Sequence, residues 1–176
     1  MQTLNSISRI MKIKPLTKGK SVIFAISTLI STGFFVGKIK YASGTFGSLL
    51  AIILCVPFCK LNIVFQFLIV LSIAIFGTIS THIYLKNLGD MNKDPKEVVI
   101  DEILAIFMMV FLAALITTRV EYKHLAVIFV LFRFFDILKP YPICWIDKNI
   151  HGAKGIILDD VCAGFAGMLF YAIIFG

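Results

Sequence analysis

The sequence predicts an all-α, membrane-embedded bundle, with about five crossing helices plus an N-terminal interfacial or re-entrant helix. Three observations carry that expectation. Of the 176 residues, 59% are hydrophobic and 15% charged, with a mean hydropathy of +0.96. That is more apolar material than a soluble domain of this size normally hides. The apolar residues also fall into six long runs separated by short polar turns. Finally, the ten acidic residues all lie between Asp90 and Asp160, several inside or beside those runs. A carboxylate at the edge of a hydrocarbon phase is costly and needs a partner.

The runs are Ser21–Phe35, Thr45–Phe58, Ile63–Leu85, Val98–Thr118, His124–Leu138 and Ile156–Phe175. A span takes about 20 residues, with about 17 as the lower limit. The third, fourth and sixth are long enough outright. The fifth reaches that length with Tyr122 and Lys123 as its interfacial end, and the second if 41–44 join it. The first run is short and carries Ser21, Ser27, Thr28, Ser31 and Thr32, which suits an interfacial or re-entrant helix. A signal peptide is the alternative, but no small-x-small cleavage site follows the run. With no repeat or linker, residues 1–176 read as one domain with a basic tail over 1–20.

Charge sets the orientation. If the first run stays on one side and the other five cross, one face receives the tail, the Lys38/Lys40 loop, the Lys86–Glu97 loop and the Lys139–Lys154 loop. The other receives only Lys60, Arg119 and Lys123 as basic residues. The richer face is the cytoplasmic one. In that topology Asp101 and Glu102 begin a helix leaving the cytoplasmic face, Asp136 ends a helix arriving there, and Asp159 and Asp160 begin another. The net charge of +7 fits work beside anionic lipid. Nucleic acid is disfavoured, because the basic residues are scattered among short loops and line no single polar face. Cys55, Cys59, Cys144 and Cys162 lack zinc-type spacing and read as packing residues.

The carboxylates suggest a hard divalent cation. Mg²⁺ takes a few carboxylates and completes its shell with water and substrate phosphate. Asp101, Glu102, Asp136, Asp159 and Asp160 are the candidate ligands and catalytic acids. The plain alternative is that they are helix-capping and first-turn acids. It leaves Asp136, at a helix C-terminal end, unexplained. Arg133 and Asp136 are three apart and can share a helix face. Either they form an intramembrane ion pair, or Arg133 and Lys139 contact phosphate while Asp136 binds metal. Gly44, Thr45 and Ser48 lie in a small-residue turn at a helix start, which suits either a phosphate oxygen or tight packing. His151 is a candidate proton donor, or simply a solvated loop histidine.

Together these stretches resemble the phosphatidylglycerophosphatase A family. The matching elements are SGTFGSL at 43–49, DPKEVVIDE at 94–102, FRFFDILKPYPI at 132–143 and HGAKGIILDDVCAG at 151–164. The likeness runs over about residues 30–175. Two positions depart from the family pattern: Ser43 where proline is common, and Ala105 where glycine often stands. Neither removes a candidate ligand.

The resemblance implies a Mg²⁺-dependent lipid phosphatase in phospholipid biosynthesis. It would release phosphate from phosphatidylglycerophosphate, in a bacterial-type inner membrane, multi-pass, with its site facing the cytoplasm. The partner is a bilayer phospholipid, and the oligomeric state stays open. So does the nucleophile, water or an aspartate, although no D-x-D-x-T phospho-aspartate motif is present. A CDP-alcohol phosphotransferase is disfavoured because the D-G-x-x-A-R core is absent. A cation transporter would place its acids near the bilayer midplane, whereas these lie near helix ends. A non-catalytic scaffold leaves the acid clustering unexplained.

Overall fold

The computed structural model describes residues 18–92, 94–117 and 119–176. Most of the basic tail, residues 1–17, lies outside them. The described residues form seven α-helices and no strand. They are α1 (Lys18–Ser31), α2 (Ser43–Phe58), α3 (Ile63–Leu88), α4 (Ile100–Ile116), α5 (Tyr122–Leu138), α6 (Ile143–Asn149) and α7 (Gly152–Phe175), with one 3-10 turn at Val36–Lys38.

The bundle is wrapped around α4. Every residue from Ile100 to Val110 is buried, because α2, α3, α5 and α7 all pack against this one helix. A helix that is apolar all round is satisfied only by a partner on every side. Here protein supplies those partners. The long outer helices differ. Along α3, Phe65, Phe67, Leu68, Leu71, Ile75 and Phe76 are exposed. On α7, Phe165, Leu169, Phe170, Ile173 and Ile174 face outward. Exposed apolar surface on that scale marks contact with something other than water.

Several hydroxyls in and beside α1 find local partners. In α1 the hydroxyls of Ser27 and Thr28 donate to the carbonyls of Ile23 and Phe24, at 2.7 and 2.8 Å. Thr32 donates to Thr28 in the same way, at 2.7 Å. Such back-bonds satisfy a hydroxyl inside hydrocarbon without a second helix. The turn after α1 brings Gly37 against the Glu97 carbonyl, where a β-carbon has no room. α3 starts with the Asn62 side chain accepting from the Val64 N–H at 2.9 Å, and Gly89 at φ 80° follows its end. These are ordinary start and stop devices.

Two expectations change. Helices α3 and α7 are long and apolar enough to cross a membrane; five such helices are not found among the described residues. The fourth run forms a 17-residue helix enclosed by its neighbours. The second forms 16 residues even after joining Ser43 and Gly44. The apolar-run reading also passed over α6, which is too short to register as a hydrophobic segment.

Candidate active site

Four helix ends meet at one end of the bundle. The first turn of α4 carries Asp101 and Glu102, and α7 carries Asp160. Carboxylate oxygens of these three lie within 4.8 Å of one another, and all three residues are buried. Asp101 Oδ1 accepts the Glu102 N–H at 3.1 Å, so a first-turn acid's role at a helix start accounts for part of its placement. It does not account for α7, whose N-cap is His151. There the acids sit two turns inside the helix, because α7 begins at Gly152, earlier than the apolar run suggested.

In α5 the Arg133 guanidinium donates to Asp136 Oδ2, in the last turn, at 2.6 Å, and Asp136 lies against Asp160. α2 closes the group. A β-carbon on Gly44 would stand 2.5 Å from Glu102 Oε1 and 3.1 Å from Arg133 Nη1. Only a glycine lets the helix start come so close.

Asp159 belongs to a second group. Lys139 follows α5 in a left-handed conformation, φ 41°. Its ammonium donates to Asp159 Oδ2 at 2.6 Å and to Asp147 Oδ1 at 2.7 Å. Burial works against the charge on Lys139, but these two carboxylates outweigh it and hold the ammonium above its ordinary value. Consecutive residues on a helix point about 100° apart, so Asp159 and Asp160 serve different groups. A small cavity of ≈ 40 Å³ lies beside Asp94, Asp147, Asp159, Asn92 and His151. His151 itself is exposed. Protein around the carboxyl of Asp94 desolvates it and raises its pKa, with Lys139 opposing.

The five acids therefore form two adjoining groups, not one coordination sphere. Asp101, Glu102 and Asp160 meet, with Asp136 and Arg133 at their edge and Gly44 against them. Asp159, Lys139 and His151 lie in the neighbouring group. Thr45 is exposed, and the buried Ser48 hydroxyl donates to the Gly44 carbonyl at 2.7 Å. Asp94 and Asp147 were not among the sequence candidates. Their signal was available, since both fall in the single acidic stretch, 90–160.

The donor set fits a hard cation. Glu102 Oε2 and Asp159 Oδ1 are buried without a hydrogen-bond partner among the described residues, as is Arg133 Nε. Ser31, Gln66, Thr81 and Tyr171 also keep unpartnered buried atoms, but those are neutral groups, and leaving a charged group so costs more. Three clustered carboxylates with a vacant lone pair suit Mg²⁺, which takes oxygen ligands. Beside the small cavity lies a larger, mainly apolar one of ≈ 430 Å³. Thr78, Ile79, His82 and Ile83 line it together with Met91 and Ala153, and Asn92, His151 and Gly152 border both.

The family model for Phosphatidylglycerophosphatase A matches residues 29–175. The protein of that name from Escherichia coli is 36% identical over 150 residues, 81% of each chain. The one from Haemophilus influenzae is 36% identical over 147 residues, 82% of this chain and 86% of that one. A Bacteroides thetaiotaomicron protein, named provisionally as a phosphatidylinositol-3-phosphatase, is 32% identical over 154 residues, 84% of this chain and 92% of its own. No solved structure matches. The matched region takes in both groups of acids and all seven helices but the first turns of α1, and the chain belongs to the phosphatidylglycerophosphatase A family.

Proposed function

We propose that the chain hydrolyses the terminal phosphomonoester of phosphatidylglycerophosphate, giving phosphatidylglycerol and inorganic phosphate. The work is done at the cytoplasmic face of a bacterial-type inner membrane. One observation carries the reading: three buried carboxylates from two helices meet beside an arginine, at one end of an apolar bundle. The family relationship supplies the substrate. The exposed apolar faces of α3 and α7 support a multi-pass anchor.

Asp101, Glu102 and Asp160 would hold Mg²⁺, with Asp136 as a neighbouring ligand and Asp159 available from the second group. When bound, the ion supplies positive charge for the phosphoryl oxygens and makes a water more acidic. Arg133 is held by Asp136 through one nitrogen, which leaves its buried Nε edge for a phosphate oxygen. Lys139 adds a point charge nearby. Water attacks phosphorus in line, the new P–O bond forms, and the bond to the glycerol oxygen breaks. One of the cluster carboxylates takes the water's proton. His151, at the rim, can return a proton to the leaving oxygen. The 430 Å³ cavity next to it suits the apolar part of the lipid.

The experiment is phosphate release by the purified chain from phosphatidylglycerophosphate, phosphatidic acid and phosphatidylinositol 3-phosphate, with and without Mg²⁺. Fastest release from phosphatidylglycerophosphate, lost on chelation, supports the reading. Release that ignores chelation removes the metal. A preference for another lipid moves the substrate.

A further inference from the structure

Lys60, Arg119 and Lys123 are the basic residues at the end of the bundle away from the acids, and all three line one cavity of ≈ 580 Å³. α2 and α4 finish there and α5 begins there. The opposite ends of the same helices carry Gly44, Asp101 and Asp136, about 25 Å away along α4. Glu121 is the only acid at this end. It lies 3.3 Å from Lys123, and both side chains are more than half exposed. Such a pair is weak. Lys60 and Arg119 form no salt bridge among the described residues. Three cations therefore face one carboxylate.

The rest of the lining is mainly apolar: Val56, Cys59, Val120, Leu125 and the ring of Tyr122. The exposed side chains of Leu61, Leu115 and Ile116 continue that character in the adjoining chain. A polar, positively charged mouth against apolar walls suits an amphiphile whose head is a phosphate.

We propose that this cavity binds the phosphate headgroup of an anionic phospholipid in the leaflet opposite the acid cluster, as a second lipid site apart from the substrate's. The site needs the bundle to cross the bilayer, but it does not need the phosphatase reading. Clustered cations hold an anionic headgroup by charge, so a zwitterionic lipid of equal chain length binds less.

Cys59 lines the cavity and is half-buried, which makes it a local reporter. Cys144, half-buried in α6, serves as the internal reference at the acid end. The test is peptide-resolved maleimide labelling of the full chain in detergent micelles. The added probes are dihexanoyl phosphatidylglycerol, dihexanoyl phosphatidylcholine and inorganic phosphate.

Phosphatidylglycerol is expected to slow Cys59 labelling while Cys144 is unchanged. The concentration needed rises about tenfold in a Lys60→Gln/Arg119→Gln variant and is restored in Lys60→Arg/Arg119→Lys. These side chains are exposed, so the substitutions leave the fold intact. Asp101→Asn, which disables the proposed catalysis, leaves the protection in place, so the two readings fail separately. Absence of protection overturns the proposal. So does equal protection by phosphatidylcholine, or protection that survives loss of both charges. Protection by inorganic phosphate alone overturns the lipid assignment in favour of a free anion.

Discussion

At the scale of single residues, neighbours in sequence take opposite parts. Asp159 is held by Lys139 at 2.6 Å, while Asp160 faces Asp101 and Glu102. Three carboxylates crowded together repel one another when ionised, so their arrangement serves binding and costs stability. Asp101→Asn or Asp160→Asn is therefore expected to cut phosphate release by about a hundredfold or more. The thermal midpoint should hold steady or rise. Activity assays and thermal unfolding of the same preparations check both halves. A variant that keeps its activity removes that carboxylate from the site.

Lys139 behaves in the opposite way. Its folded pKa lies above the ordinary 10.5, so its bonds to Asp147 and Asp159 contribute fully below about pH 10.5. They are lost only as pH rises through the higher folded value. Stability from this group is expected to stay flat from pH 7 to pH 10 and then fall, and the fall should be missing in Lys139→Met. Unfolding midpoints followed across that range test it.

At the scale of elements, the site depends on helix ends brought unusually close. The start of α2 reaches the start of α4 and the end of α5 because residue 44 has no side chain. A β-carbon there meets the flexible tip of Glu102, not backbone, so Gly44→Ala should fold, with stability changed by no more than about 1 kcal/mol. It displaces the carboxylate, however, and a shift of about 1 Å in a positioned group costs up to about a hundredfold in rate. Titration of activity with Mg²⁺ should show both lower turnover and a higher Mg²⁺ requirement. An unchanged titration would separate Glu102 from the metal.

The sequence announced most of these ends. Pro140 marked the close of α5, and the apolar runs located α2 to α5 within a few residues. It did not announce α6, because seven residues make no hydrophobic periodicity worth the name. Missing α6 hid the part Asp147 plays. The apolar run, which starts at Ile156, also made α7 begin too late, and that misplaced the acids within the helix.

At the scale of the whole molecule, the proposed orientation puts Cys59 and Cys144 on opposite sides of the bilayer. A membrane-impermeant maleimide added to intact spheroplasts should label Cys59, at the basic cavity, and spare Cys144 until the membrane is opened. The reverse pattern would invert the protein and place the acids outside.

The sequence by itself determined that the chain is helical, rich in apolar faces and acidic at one end. Its motifs at 94–102, 132–143 and 151–164 were enough to point to the family. Those properties are local: hydropathy, spacing and residue order. Only the tertiary structure decided that α4 is enclosed by other helices while α3 and α7 keep apolar faces outward. Composition says that a side chain avoids water, not whether lipid or protein covers it. Only the fold, too, split five acids into two groups and drew in Asp94 and Asp147. Which carboxylates share a centre depends on helix rotation and on what packs across from them, and neither is written in the order of the residues.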